Sequence, residues 1–320
     1  MIILTGGAGF IGSCMLAALN ATGIKNVLIV DSLGNGQKWK NLVGKTYIDI
    51  VSKQEFRAFM DAGAFDDNVE AIIHLGACSS TTETNADYLY DNNYQYSVDV
   101  AEFAFEKQAR FIYASSAATY GDGARGYSDG TQDLRPLNMY GYSKHLFDQW
   151  IRLQGMESAC VGLKFFNVFG PNEYHKGSMA SLVSKAVGQI QQKGYVELFK
   201  STDRTYPDGG QMRDFVYVKD VCRSMLQLLE RPEVNGILNL GTGKARSWND
   251  LMTAVFSAMG RPVDIRYIDM PAELSKQYQN YTQADMQTFT SKLPTISFGS
   301  LEESVADYVN GYLTCEWPYL

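Results

Sequence analysis

The sequence predicts an α/β fold, a doubly wound parallel sheet with a smaller interleaved α/β lobe for substrate. Three observations lead there. Short apolar runs alternate with segments of helical spacing, a glycine-rich turn joins the first run to the first helical segment, and the alternation loses its regularity in the second half. Met1–Thr5, Asn26–Val30, Ala71–Leu75, Arg110–Ser115 and Cys160–Phe166 read as buried strands, because each is a brief, nearly continuous apolar stretch.

The helices between them follow from spacing and capping. Ile11, Met15, Ala18 and Leu19 share one face. Ser52 to Glu55 forms a capping box ahead of Phe56 and Phe59. Val98, Ala101 and Phe105 make a further stripe, as do Leu146, Phe147, Trp150 and Ile151. In the second half Gly177–Lys193 reads as one long helix, Thr202–Gln211 as a polar loop, and Arg213–Val218 and Gly236–Leu240 as strands. Ser247 to Asp250 caps a helix running to about Met259. No Pro/Ser-rich linker divides the chain, so two interleaved lobes are expected. Residues 1–167 with about 213–245 would form the dinucleotide-binding domain, and about 168–212 with 246–320 the substrate lobe.

Composition sets outer limits. Across 320 residues the net charge is −7, with 45% hydrophobic residues, which excludes a disordered or fibrous chain and disfavours a nucleic-acid or anionic-membrane partner. Cys14, Cys78, Cys160, Cys222 and Cys315 are scattered, with no CxxC pair, and His74, His145 and His175 are equally dispersed. Neither a disulfide framework nor a metal site is expected. No apolar run reaches the roughly 18 residues of a membrane helix, and Met1 leads straight into a strand pattern without a basic leader, so the expected location is the cytoplasm.

Thr5-Gly6-Gly7-Ala8-Gly9-Phe10-Ile11-Gly12 follows the first strand and opens the first helix. Glycines at 6, 9 and 12 permit a tight turn, close approach of backbone N–H groups to a pyrophosphate, and close helix–sheet packing. With the acid Asp31 ending the second strand at the spacing for a ribose contact, the pattern predicts a Rossmann-type dinucleotide site. Asp31 alone favours NAD. Lys38 and Lys53 are each able to neutralise the 2′-phosphate of NADP, though a solvated surface charge is the commoner fate of a lysine.

Tyr140 and Lys144 stand four residues apart on one helical face, and Ser116 closes the fifth strand at the carboxyl edge of the sheet, where such folds bind ligands. A nearby ammonium is expected to lower the tyrosine pKa, giving a phenol able to exchange a proton near neutrality. Either of these features is frequent alone. Their order and separation after the glycine turn are not.

From TGGAGFIG through SSAATYG to YGYSK, the chain resembles the extended short-chain dehydrogenase/reductase family. DNNYQYS, FFNVFGPNEYHKGSMAS, RDFVYVKD, NLGTG and YTQAD make it similar, within that family, to nucleotide-sugar epimerases acting at carbon six of an ADP-heptose for lipopolysaccharide core precursors. That resemblance implies a retained NADP, with NAD possible, and a homo-oligomeric, pentameric assembly. Gly6, Gly9, Phe10, Ile11 and Gly12 would cradle the pyrophosphate, with Asp31, Ser32 and Lys38 at the adenosine ribose. Lys53, Leu75, Gly76, Ala77, Cys78, Ser79, Asn92 and Val168 would line the rest of the cofactor site. Tyr140 and Lys144 would act in proton transfer, with Lys144 also holding the nicotinamide ribose; Ser116 would hydrogen-bond the oxygen being oxidised, and Lys176 would be the second acid/base, also close to the cofactor. Asn167, Ser178, Lys185, Phe199, Arg213 and Tyr278, with Ser116, would bind the nucleotide sugar. Ser32 and Lys185 depart from the amide and histidine of the similar enzymes, and the 201–212 loop is longer. A 4-epimerase, a 4,6-dehydratase and a non-catalytic cofactor sensor are the competing readings. Ala117 and Ala118, where dehydratases of this kind carry an Asp-Glu pair, disfavour dehydration.

Overall fold

The computed structural model describes residues 1–65, 68–271 and 278–320. Strands β1 (Ile2–Thr5), β2 (Val27–Val30), β3 (Asp49–Val51), β4 (Ala71–His74), β5 (Arg110–Ser116), β6 (Cys160–Phe165) and β10 (Gly236–Leu240) form one seven-stranded sheet in the order β10-β6-β5-β4-β1-β2-β3. The pairs from β5 to β3 are parallel, with Ile3 opposite Leu28 and Ile72, and Ile73 opposite Ile112. All four residues of β1, β2 and β4 are buried, which is why they read as continuous apolar runs. The short edge strand β3 has one exposed and two half-buried residues and gives no such signal.

Helices α1 (Phe10–Ala21), α2 (Lys53–Asp61), α3 (Ala86–Leu89), α4 (Tyr96–Glu106) and α5 (Met139–Leu153) connect these strands, and Tyr90–Gln95 joins α3 to α4 as a π turn. Phe56 of α2, Val100 and Phe103 of α4, Phe147 of α5 and Phe111 of β5 pack into the core. The expected capping box is present: Ser52 Oγ accepts from Glu55 N at 3.1 Å, and Glu55 accepts from Ser52 N at 2.8 Å.

The chain forms two compact units. The first comprises Met1–Thr119, Pro136–Lys164 and Cys222–Leu238; the second comprises Tyr120–Arg135, Phe165–Val221 and Asn239–Leu320. In the second unit β7 (Asn167–Phe169), β9 (Met212–Tyr217) and β11 (Ala245–Ser247) make a three-stranded sheet, and β8 (Val196–Phe199) pairs with β12 (Ile265–Ile268). The remaining helices are α6 (Leu182–Lys193), α7 (Val218–Glu230), α8 (Trp248–Ala258), α9 (Gln287–Lys292) and α10 (Leu301–Tyr308).

The expected helix Gly177–Lys193 is not continuous. Tyr174–Met179 is a 3₁₀ turn in which Gly177 adopts φ +53°, ψ −117°, outside helical geometry, and α6 starts at Leu182 with Ser181 as its cap. Glycine tolerates that backbone where other residues resist it.

Candidate active site

The turn after β1 is built around its glycines. Gly6 has φ +69°, and its N–H donates to Val30 O at 2.8 Å, while Gly9 N–H donates to Gly6 O at 2.9 Å. A Cβ on Gly12 would lie 2.1 Å from Gly6 O, and one on Gly6 would lie 2.8 Å from Gly76 N. The chain therefore packs α1, the turn and the β4 exit at backbone contact. Gly9 caps α1 without a side chain, and the first turn, with Phe10, Ile11 and Gly12, carries no acid. An amino end of this kind fits a pyrophosphate, because a helix start carries unpaired N–H groups and a partial positive charge, and glycines at 6, 9 and 12 add no side chain there.

Asp31 lies where a ribose contact requires it. Its carboxylate accepts from Ala8 N at 2.9 Å and Ser32 N at 2.7 Å and is paired with Lys38, which also donates to Ser32 O at 3.1 Å. Asp31, Ser32 and Lys38 are thus brought together. Lys53 instead pairs with Asp91 at 2.9 Å and donates to Asn92 Oδ1 at 3.2 Å, so it joins Asn92 but not the Asp31 pair.

The exit of β4, Leu75 to Ser79, is fixed by residues the sequence reading passed over. Thr5 Oγ1 accepts from Gly76 N at 3.0 Å and meets His74 Nδ1 at 2.8 Å; His74 Nε2 meets Ser97 Oγ at 2.8 Å, and Ser97 donates to Asn93 O at 2.6 Å. With both hydroxyls committed in this sense, the chain of bonds is satisfied by a neutral imidazole protonated at Nε2. Burial, reinforced by the Lys144 charge, drops His74 to a pKa of about 3. Asn93 clamps Cys78 in both directions, accepting from its N at 2.8 Å and donating to its O at 2.9 Å. It also donates to Ser143 Oγ at 3.1 Å. The π turn at 90–95 sets the side chains of Asn92 and Asn93, as such turns often do at sites.

Helix α5 starts with Asn138 Oδ1 accepting from Gly141 N at 2.8 Å, and a Cβ on Gly141 would lie 2.6 Å from Ala118 O. That close approach sets the start of α5 against the residues that follow β5, and the Ser116 hydroxyl acts to lower the pKa of the Tyr140 phenol. Burial pushes the Tyr140 pKa above 10.0, and the Ser116 bond only partly offsets it. The expectation of a tyrosine lowered by its lysine is not met here: the Lys144 ammonium donates to Ala114 O at 2.9 Å, and its own burial lowers it to about 8 against the pull of Asp148. Asp148, one turn further along α5, is fully buried. It accepts from Ser115 Oγ at 2.7 Å, Tyr113 Oη at 3.1 Å and Lys164 Nζ at 2.7 Å, and Lys164 also donates to Thr119 Oγ1 at 2.8 Å.

In the second unit β7 runs parallel to β9, with Asn167 opposite Phe215 and Val168 opposite Val216. Arg213 on β9 is 6% exposed, and its guanidinium lies 5.0 Å from the Tyr278 ring and 5.6 Å from the Trp248 ring, with a bond to Met212 O at 2.9 Å. Trp248 Nε1 donates to Tyr278 Oη at 2.8 Å. Burial lowers the Arg213 pKa, but a guanidinium keeps its charge, and an aromatic-walled arginine suits a phosphate. Lys185 Nζ donates to Ser178 O at 2.6 Å, so these two meet, while Phe199 ends β8 opposite Ile268. Lys176 is half-buried on the 3₁₀ turn, its pKa lowered by burial and raised in part by Glu173. Among the described residues no cluster of three or more His, Cys, Asp or Glu is placed to hold a metal, and no helix is long and apolar enough to cross a membrane.

A parallel sheet, a glycine cradle at a helix amino end and a Ser–Tyr–Lys set at the sheet edge define a nicotinamide-nucleotide enzyme of the short-chain type. The chain belongs to the NAD dependent epimerase/dehydratase family, whose model matches residues 2–241. Among its relatives, the ADP-L-glycero-D-manno-heptose-6-epimerase of Nitratidesulfovibrio vulgaris strain DP4 is 51% identical, with all of both chains covered. The crystal structure of the Helicobacter pylori ADP-L-glycero-D-manno-heptose-6-epimerase superposes with a TM-score of 0.81 at 28% identity, covering 97% of this chain and 95% of that one. The structure of MoeE5 in complex with UDP-glucuronic acid and NAD is similar at TM-score 0.75 and 25% identity, covering 97% of each chain.

Proposed function

We propose that this chain interconverts ADP-D-glycero-D-manno-heptose and ADP-L-glycero-D-manno-heptose at carbon six, feeding lipopolysaccharide core synthesis from the cytoplasm as a homo-oligomer. The observation that carries the chemistry is the placement of Tyr140 and the buried Lys144 one turn apart on α5, with the Ser116 hydroxyl acting to lower the pKa of the phenol. The full-length likeness to epimerases of that name supports the substrate. In this reading the first unit holds the cofactor and the second the nucleotide sugar. When bound, the nicotinamide supplies the place where hydride is lodged and from which it returns.

The protein's residues do the rest. Ser116 bonds the reacting hydroxyl and orders Tyr140. Tyr140 takes and returns the proton on one face, and the Lys144 ammonium holds the nicotinamide ribose. Lys176, lowered by burial, serves the second orientation of the sugar. Arg213 and Tyr278 hold the diphosphate and its nucleoside, with Ser178, Lys185, Asn167 and Phe199 along the sugar nucleotide. Lys38 neutralises Asp31, which supports NADP over NAD at the ribose. Releasing the co-purified nucleotide by denaturation and weighing it by mass spectrometry tests the cofactor. Proton NMR of the heptose epimers, incubated with the purified protein, tests the reaction; failure to interconvert them refutes it.

A further inference from the structure

The segment 301–320 grips the loop that carries Lys176 from two sides. On the first side stands Glu173, 1% exposed. Its carboxylate accepts from Ser181 N and Ser181 Oγ, both at 2.6 Å, and from Tyr308 Oη at 2.9 Å. These bonds join the residue three before Lys176, the cap of α6 and the last residue of α10. Lys176 N–H donates back to Glu173 O at 2.9 Å.

On the second side, Tyr174 Oη donates to Pro318 O at 2.6 Å, and the Tyr174 ring meets Tyr319 edge-on at 5.3 Å. Leu320 N–H donates to Asn172 Oδ1 at 2.9 Å, and Asn172 is fully buried with φ +72°. A left-handed asparagine holds only where its surroundings over-determine it.

The turn between these grips has little internal order. Tyr174–Met179 is six residues with a break at Gly177, and so short a 3₁₀ turn lacks the repeated bonding that fixes a side chain. Its rigidity must come from outside it. We propose that segment 301–320 is a brace that sets the position of the Lys176 side chain, with Glu173 and Tyr308 as positioning residues. The functional part rests on Lys176 acting in the reaction; the bracing itself does not. A carboxylate suits the hub because it only accepts, and donors from Ser181, Tyr308 and the Gly170 backbone converge on it; an amide would turn its NH₂ toward one of them.

The test uses the full-length protein with its co-purified cofactor, in Tyr308→Phe and Glu173→Gln forms. Tyr174→Phe, from the second grip, serves as an independent variant should the first two fold poorly. Hydrogen exchange read by mass spectrometry should rise about tenfold across 174–181 in each, as expected when local opening is released, and stay unchanged across Ile2–Thr5 and Arg110–Ser116. The kcat should fall roughly tenfold or more with KM within about threefold, since small misplacements of an acid/base act on the chemical step. Unchanged exchange at 174–181 overturns the brace, and where Lys176→Met has lost turnover, raised exchange with undiminished kcat overturns the positioning of Lys176 by it. Full turnover by Lys176→Met would instead overturn the role of Lys176, and the exchange measurement would still decide for or against the brace.

Discussion

The buried pair Asp148–Lys164 is the sharpest place to test how the reacting helix is held. Both side chains are 0% exposed and 2.7 Å apart. Asp148→Asn leaves the Lys164 ammonium in the core without its carboxylate, beside Thr119 Oγ1 at 2.8 Å, and it turns an amide toward donors on Ser115 and Tyr113. Stranding a buried charge costs about 3–5 kcal/mol. Lys164→Met leaves Asp148 two neutral donors and should cost about as much or somewhat less. The double variant Asp148→Asn, Lys164→Met removes both charges and should lie within roughly 2 kcal/mol of the parent, far from the sum of the two losses. Urea denaturation followed by circular dichroism, with slopes compared to confirm a common unfolded state, measures all three. If either single variant loses less than about 1 kcal/mol, or the two losses simply add, the pair is not the anchor described here.

Further expectations concern the site itself. Gly12→Ala places a methyl 2.1 Å from Gly6 O, so the cradle must open, and the variant should purify without nucleotide, as judged by absorbance and mass. Tyr140→Phe should keep its nucleotide yet lose about 10²–10⁴ in kcat; wild-type turnover would remove the assigned proton transfer. His74 is held at a pKa of about 3 against 6.5 unfolded. The unfolded chain binds this proton first as pH falls, so stability from this group is full above 6.5 and is lost progressively from there down toward 3. The His74 ring carbons should show no NMR titration between pH 8 and 5. Arg213→Met should raise KM at least tenfold with a smaller change in kcat, the pattern of a lost binding contact.

What was legible in the sequence follows from what was buried on both faces. The β1, β2 and β4 runs are continuous because helices cover the sheet, and the glycine turn announces its own backbone demands. The half-exposed β3 spans three residues and left no pattern. Gly177 sat inside a helical spacing, where a glycine is compatible with both a helix and its interruption. The polar residues behind the site were missed because Asn93, Ser97, Ser143 and Asp148 lie on helical segments, where polar side chains usually read as solvated faces. Lys164 carried a usable signal: a lysine inside the apolar run CVGLKF must have a buried partner, and Asp148 supplies it. Segment 301–320 was placed only within the substrate lobe; the capping box Ser300–Glu303 that starts α10 in the structure says nothing of what the helix holds.

The way the two units share the chain bears on how such a protein can be recombined. Each unit is made of three stretches, so the polypeptide passes between them at five junctions. A single crossover with a relative at any one of these junctions would leave at least one unit assembled from mismatched halves. Transferring the second unit intact, with Arg213, Tyr278 and the braced Lys176 loop, requires three grafts made together. Substrate range in this architecture is therefore more readily altered by point substitution within a unit than by the exchange of a contiguous block.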